Sequence, residues 1–190
     1  MPSKKNSKHP AAKYHPMHKD SPYWAEVDDF LKKEIAKRKP KKKEIERAQE
    51  AADLLEEEFP AATCALDFGT PFQLLVSTIL SAQCTDERVN KVTPKLWEKY
   101  GGPEGLADAD EEELQEVIRS TGFFRNKAKA IKAAAKQLLE EFDGKMPRTI
   151  EEITSLRGAA RKTANVVRMH AFELPGISVD THVTRVAGRL

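Results

Sequence analysis

Two residues in the last third of the chain have the types needed for covalent chemistry at an electrophilic carbon. Lys162 lies in LRGAARKTANVV (156–167), just after a turn of small residues, and Asp180 follows in ISVDTHVTRV (177–186). A lysine amine can attack such a carbon while a nearby carboxylate supports the developing cation and assists proton transfer. On spacing alone, each also has an ordinary explanation: Lys162 as an exposed helix lysine and Asp180 as a helix N-cap.

The turn before Lys162 favours the binding of an anion. Gly158 permits a turn conformation that larger residues resist, and we predict that a new helix begins near Ala160 or Arg161. The N–H groups at the start of that helix and the positive end of its dipole form a phosphate site, to which Arg161 adds a charge. The same dipole disfavours an ammonium ion in the first turn, which helps Lys162 to act as an amine nucleophile.

The elements that must position these residues are helices. No segment shows sustained strand alternation, and apolar residues recur at helical spacing from residue 42 onward. Thr70 is an N-cap followed by proline, and it opens a segment so apolar on all sides that we predict a buried central helix. We predict an all-α fold with further helices over 42–59, 86–100, 125–142 and 161–172, capping boxes at Asp110/Glu113 and Thr149/Glu152, and a helix capped by Asp180.

The charges are distributed unevenly along the chain. Residues 1–50 carry a net charge of +6, residues 51–144 carry −8 and residues 145–190 carry +4. This pattern suggests a polyanion held by the two outer segments, although solvated helix faces and a basic tail explain it equally well. By composition, residues 1–20 form a disordered basic arm, and residues 22–39 form a short amphipathic helix with Trp24 on its apolar face.

Composition excludes several classes of protein. The chain has 190 residues, enough for one domain or a compact pair with a buried core. It has no apolar run of the roughly 18 residues that a membrane span requires, and because its N-terminus is polar we expect no secretory signal peptide. Its two cysteines make no disulfide framework and fit a reducing compartment. We therefore expect a cytoplasmic monomer that does not bind membranes.

From about Thr70 to its end, the chain resembles the helix-hairpin-helix DNA glycosylases of the endonuclease III branch. The resemblance is carried in register by LLVSTILSAQCTDERVNKVTPKLW, STGFFRNKAKAI, LRGAARKTANVV and ISVDTHVTRV. It implies a six-helix barrel over 70–172, with the helix-hairpin-helix at about 150–170. The barrel would pack against a second helical domain formed by 21–69 and by the segment that starts at 173. The implied partner is duplex DNA with a damaged base or an abasic site.

The resemblance also implies roles for individual residues. Lys162 would attack sugar C1′ of a flipped-out nucleotide and form a Schiff base, and Asp180 would activate the lysine and stabilise the transition state. Gln83 would fill the gap left by the flipped base, and Phe123 would insert as a wedge on the opposite strand. The phosphate would be gripped at the hairpin, often with a monovalent cation, by Arg157, Gly158, Ala160 and Arg161.

Asp86 and His182 match family positions near the cleft, where a capping or structural hydrogen bond is at least as good an explanation. Two departures from the family lie in the hairpin, which usually reads LPGVG or LPGVA. Arg157 replaces the proline and loses its fixed φ, and Ala159 replaces a buried valine. We expect the hairpin to form and to bind DNA more weakly.

The family's [4Fe–4S] cluster would be held by four cysteines in a segment beyond Leu190. Cys64 and Cys84 do not match those positions, so we expect no cofactor or metal in this chain. We expect the chain to be a fragment of a longer protein, with the second helical domain incomplete.

The implied function is base excision repair by a bifunctional DNA glycosylase and AP lyase. It would remove oxidised pyrimidines and cut 3′ to the abasic site by β-elimination. One alternative keeps the fold but changes the base, to thymine or uracil opposite guanine or to a 3-methylated purine. Relatives that excise adenine opposite oxidised guanine generally lack the lysine, so Lys162 argues against them. The other alternative is a non-catalytic DNA-binding fragment.

Overall fold

The structure is a computed structural model that describes residues 41–189, and every regular element in that range is helical. The predicted all-α fold is thereby confirmed. The basic arm predicted for residues 1–20 and the helix predicted for residues 22–39 lie outside the described residues. The chain divides into two compact units between Cys64 and Ala65.

The first unit contributes one described helix, α1 (Lys42–Glu58), whose larger apolar residues are mostly exposed. The second unit begins with a buried helix and contains most of the elements. They are α2 (Pro71–Ser81), α3 (Asp86–Tyr100), α4 (Pro103–Asp108), α5 (Glu111–Ile118), a 3-10 turn (Arg119–Thr121), α6 (Phe124–Phe142), α7 (Ile150–Ser155), α8 (Arg161–Ala171) and α9 (Thr181–Ala187).

Helix α2 is the central element of the second unit. Thr70 is its N-cap and Pro71 occupies the first helical position, as predicted. Gln73 completes a capping box with Thr70. Leu74, Leu75 and Leu80 are fully buried; burying a leucine side chain stabilises a fold by about 1.5–3 kcal/mol. Helices α3, α6 and α8 pack around α2. Helix α8, which carries Lys162, therefore packs directly on the buried centre of the second unit.

Helix α6 is the longest element of the second unit. Ala128, Ile131 and Leu138 are fully buried at helical spacing, and they face α2, α4 and α5. The helix starts one residue earlier than predicted and ends where Asp143 and Gly144 both adopt positive φ. Helices α2 and α6 are the supports on which the candidate site is built.

One of the two predicted capping boxes is complete. Thr149 and Glu152 bond reciprocally at the start of α7. Asp110 accepts hydrogen bonds from the N–H groups of Glu112 and Glu113. The other bond of the predicted box, from the Asp110 N–H to the Glu113 carboxylate, is not formed, so that prediction was wrong. The Glu113 carboxylate lies 2.7 Å from Lys99 Nζ, and an ammonium ion is a stronger partner than a backbone N–H.

Two short elements, α4 and the 3-10 turn, were not predicted because they are too short to show a periodic pattern. In the described part of the chain, none of the helices combines the length and the apolar character that crossing a membrane requires.

Candidate functional site

The turn between α7 and α8 has the backbone of a type II turn. The Ala159 N–H donates to Leu156 O at 3.1 Å, and Gly158 has φ of +86°. Arg157 therefore occupies the second position of the turn, where proline is common. Leu156 and Ala159 are buried, so the hairpin forms with arginine and alanine in it, as expected.

Gly158 is needed for space as well as for its backbone angle. A Cβ atom at this position would lie 3.0 Å from Ala130 Cβ on α6 and 3.4 Å from Ile79 Cδ1 on α2. The turn therefore rests directly on α6 and α2, and a side chain at 158 would fit only if Ala130 moved by a few tenths of an ångström. This contact sets where α8 begins.

The Gln137 side chain on α6 also holds this turn, through two hydrogen bonds to its backbone. The Arg157 N–H donates to Gln137 Oε1 at 2.7 Å, and Gln137 Nε2 donates to Ser155 O at 3.3 Å. One side-chain amide thus holds the backbone on both sides of Leu156. Proline has no N–H to donate, so this bond exists only because position 157 is not proline. The two Gln137 bonds restrict the conformation of the turn, as the fixed φ of the family's proline would.

Helix α8 begins at Arg161, within the predicted range. Its N-cap is Ala160, whose side chain makes no capping bond. The first N–H groups of α8 are therefore not capped by the N-cap side chain and point out of the hairpin. Arg161 and Lys162 lie in this first turn, and both are exposed.

The structure brings Lys162 and Asp180 together. Lys162 Nζ lies 3.5 Å from Asp180 Oδ2, with the two side chains 53% and 33% exposed. An ion pair this open to solvent contributes little to stability. Its placement leaves both groups accessible to a large ligand.

Asp180 uses its two carboxylate oxygens for different purposes. Oδ1 accepts the N–H groups of His182 and Val183, both at 2.9 Å, and so caps α9, while Oδ2 faces Lys162. The Val183 N–H bond first, and then the charge of Lys162 and the His182 bond, lower the pKa of Asp180 against opposing desolvation. The N-cap role and the partner role that the sequence left open are both present.

A second group of predicted residues lines one cavity of about 390 Å³ between α2, α6 and the hairpin. Gln83, Phe123, Gly158 and Ala160 all border it. Phe123 is 63% exposed, as the resemblance implied. An exposed Phe and a Gln beside the hairpin form a surface suited to enter a base stack.

The remaining predicted residues lie around these groups. Arg157 and Arg161 are exposed but are not among the residues that line the cavity. Thr85 rather than Asp86 caps α3, and Asp86 occupies the first turn of that helix. The His182 backbone bonds Asp180, and its Nδ1 lies 3.3 Å from Arg185 Nη2.

Two residues of the site were missed from the sequence, Gln137 and Lys127. Lys127 is only 5% exposed, and its Nζ donates to Leu80 O at 2.7 Å and Thr121 O at 2.8 Å. The signal for Lys127 was available, because it falls at helical spacing on the buried face of α6. Gln137 gave no signal, since a glutamine in a helix is most often a surface residue.

The chain's own residues do not fit an iron–sulfur cluster. Such a cluster takes four thiolates, and the sequence has two cysteines, Cys64 and Cys84. Within residues 41–189, no group of three or more His, Cys, Asp or Glu residues is arranged to hold a metal ion.

Comparison with known proteins identifies relatives of this chain. Residues 76–190 match the model of the family described as HhH-GPD superfamily base excision DNA repair protein. Endonuclease III from Synechocystis sp. is 58% identical over 146 residues, which cover 76% of this chain and 67% of that protein. Endonuclease III from Bacillus subtilis is 49% identical over 138 residues, covering 73% and 63%.

Solved structures agree with these sequence matches. An endonuclease III trapped as a covalent intermediate with DNA, an estranged-adenine complex, superposes with a TM-score of 0.72 at 46% identity, covering 76% of this chain and 68% of that chain. A thermostable thymine-DNA glycosylase superposes with a TM-score of 0.61 at 25% identity, covering 66% and 58%. The chain thus spans about two thirds of the length of the curated relatives it matches.

Gly158→Ala is expected to destabilise the second unit more than Gly144→Ala does. Both glycines have positive φ, which costs an L-residue about 1–2 kcal/mol. A Cβ at 144 would make only ordinary contacts, with Leu139 Cδ2 at 3.5 Å the nearest, whereas a Cβ at 158 would press on Ala130. Urea denaturation of the two variants measures the difference in the free energy of unfolding. Equal costs would show that the hairpin does not depend on this close approach.

We expect Arg157→Pro to have a more favourable effect on the free energy of unfolding in a Gln137→Ala background than in the native protein. The difference should be about 1 kcal/mol, the contribution of one hydrogen bond. In the native protein, proline removes the N–H that Gln137 accepts, which offsets the gain of about 0.4–1 kcal/mol from a fixed φ. Without Gln137 only the gain remains. Leu156 has ψ of 136°, which a following proline accepts.

A double-mutant cycle of unfolding free energies checks this coupling. The idea fails if Arg157→Pro changes stability by the same amount in both backgrounds.

Proposed function

The chain belongs to the HhH-GPD superfamily of base excision DNA repair proteins, in its endonuclease III branch, and from that membership we propose that the protein is a DNA glycosylase with AP lyase activity. It removes oxidised pyrimidines from duplex DNA and cuts 3′ to the resulting abasic site. The observation that carries this proposal is the open Lys162–Asp180 pair at the start of α8.

The pair has the geometry needed for a lysine nucleophile with a counter-ion. In the proposed reaction Lys162 first loses a proton to solvent with the assistance of Asp180, and its free amine then forms a bond to C1′ of the flipped-out nucleotide. The bond from C1′ to the base breaks with its electron pair leaving on the base, which takes up a proton. Positive charge develops on the sugar as the base departs. Asp180 Oδ2, 3.5 Å from the attacking nitrogen, would stabilise that charge, and the lowered pKa of Asp180 favours its carboxylate form.

Strand cleavage follows from the same bond. Loss of a proton from the attached nitrogen and opening of the sugar give a Schiff base between Lys162 and C1′. Removal of a proton from C2′ then expels the 3′ phosphate by β-elimination. Water releases the sugar fragment and restores the amine.

The surroundings of the pair support DNA as the substrate. The first N–H groups of α8 and the exposed Arg157 and Arg161 supply donors and charge for a phosphate. The monovalent cation that the family often carries would bind at this same hairpin. Phe123 as a wedge and Gln83 in the vacated space would keep the damaged nucleotide out of the stack. Endonuclease III has been solved in a non-covalent complex with DNA and as a trapped covalent intermediate with DNA, which supports DNA as the partner of this chain.

Reduction with borohydride in the presence of abasic-site duplex should trap the protein, in its full natural length, as a covalent adduct. Lys162→Ala should abolish the adduct, because it removes the amine that forms the Schiff base. Lys136→Ala is the matched control, since Lys136 is an exposed lysine of α6 away from the pair. If the Lys162→Ala variant still forms the adduct, the assignment of Lys162 as the nucleophile is wrong.

Asp180→Asn separates the two roles of this residue. Asparagine still accepts the N–H groups of His182 and Val183, so α9 stays capped. The negative charge beside Lys162 is lost, and adduct formation should slow by about 10²-fold or more. An unchanged rate with unchanged stability would mean that Asp180 is only an N-cap.

Release of the base should be faster from a duplex with thymine glycol than from one with a G·T mismatch. A saturated, non-planar base stacks poorly and costs less to extrude. Single-turnover measurements on the two duplexes decide between the substrates. Faster release from the mismatch would identify a mismatch glycosylase of the same fold. Salt-dependent binding without release or nicking would indicate a DNA-binding module.

A further inference from the structure

Two backbone segments that border the cavity are held in an unfavourable conformation. Within residues 41–189, four residues other than glycine have positive φ, and two of them, Gln83 (+53°) and Phe123 (+48°), line the same cavity. This left-handed region costs a residue with a side chain about 1–3 kcal/mol and persists only where the surroundings impose it. Asp143, by contrast, ends α6 next to Gly144, which is a common helix terminus.

The same buried cation bonds to the backbone just before each of these two residues. Lys127 Nζ donates to Leu80 O, three residues before Gln83, and to Thr121 O, two residues before Phe123. Leu80 lies in the last turn of α2, and Thr121 ends the 3-10 turn. One ammonium group therefore joins the ends of two elements that are far apart in sequence.

Burial of this lysine needs a reason, because lysine is almost never buried unless it is paired. Burial lowers the pKa of Lys127, and the chain places it on the otherwise apolar face of α6. Two backbone carbonyls at helix ends are good partners for an ammonium ion, since these oxygens have no partner within their helix. An apolar residue would fill the space but would leave those two ends unconnected.

We propose that Lys127 is the positioning residue that sets the Gln83 and Phe123 backbones at a fixed separation, so that gap filling and wedge insertion occur together. This inference rests on the proposed function, in which those two residues enter the base stack. Lys127 does not touch the reacting atoms in this role. It acts through the two segments that it joins.

The variant that tests this role is Lys127→Met, which keeps most of the length of the side chain and removes the ammonium group. Lys132→Met is the matched control, because Lys132 also lies on α6 and its Nζ donates to a backbone carbonyl, Ala109 O, away from the cavity. Lys127→Arg keeps a cation and serves as a second variant if Lys127→Met does not remain folded. Thermal denaturation of all three variants shows which are folded at the assay temperature.

The first measurement is amide hydrogen exchange, which does not depend on catalysis. The Cys84 N–H bonds to Ser81 O and the Gly122 N–H bonds to Arg119 O, one amide beside each left-handed residue. Both amides should exchange about tenfold faster in Lys127→Met, the factor expected from losing a hydrogen bond to a charged group. Lys132→Met should leave them within about twofold. Unchanged exchange at both amides in Lys127→Met would overturn the inference.

The second measurement compares borohydride trapping on an abasic site in duplex and in single-stranded DNA. The duplex reaction requires gap filling and a wedge, whereas a single strand has no opposite strand to hold open. Lys127→Met should slow duplex trapping about tenfold or more and leave single-strand trapping within about twofold. Lys127→Arg should fall between Lys127→Met and the native protein.

The outcomes separate this inference from the proposed function. An equal loss on both DNAs would overturn the positioning role, because it would indicate general damage to the fold or to Lys162. If the native protein forms no adduct with either DNA, the proposed function fails. Hydrogen exchange at Cys84 and Gly122 then decides on its own whether Lys127 holds the two segments.

Discussion

The close approach of the hairpin turn to α6 and α2 is the constraint on which the site depends. Gly158 lies so near Ala130 that a Cβ atom would come within 3.0 Å of its methyl group, and its φ of +86° lets the chain turn at that point. Because the turn is held there, α8 begins at a fixed place, with Lys162 in its first turn. Gln137 adds a second fixed point by bonding the backbone on both sides of Leu156.

The site is assembled where the backbone departs from regular structure. Gly158, Gln83 and Phe123 all have positive φ and all border one cavity. Glycine adopts such a backbone without strain, whereas for Gln83 and Phe123 it is unfavourable and persists only when neighbouring elements impose it. Here the neighbours are the buried helices α2 and α6, with Lys127 bonding to the chain ahead of two of these residues. The core therefore does more than stabilise the fold, since it also holds exposed residues in place.

Asp180 shows how one residue can serve both structure and chemistry. The N–H groups of α9 occupy one carboxylate oxygen and fix its orientation, which leaves the other oxygen directed at Lys162. The same N–H bonds and the nearby ammonium group keep the carboxylate ionised. The helix cap thus preorganises the counter-ion that the proposed reaction requires.

Apart from α4, local pattern alone determined the α-helices of the second unit. It also determined the caps at Thr70, Thr149 and Asp180 and the start of α8, because these depend on neighbours within a few residues. It also indicated which two residues could do the chemistry. The pairing of Lys162 with Asp180 at 3.5 Å and the bond from Lys127 to Leu80, 47 residues away, were decided only by the tertiary structure. The same holds for Glu113, whose carboxylate bonds Lys99 instead of its own helix cap. Such partners are set by how helices pack, and packing depends on the whole chain at once.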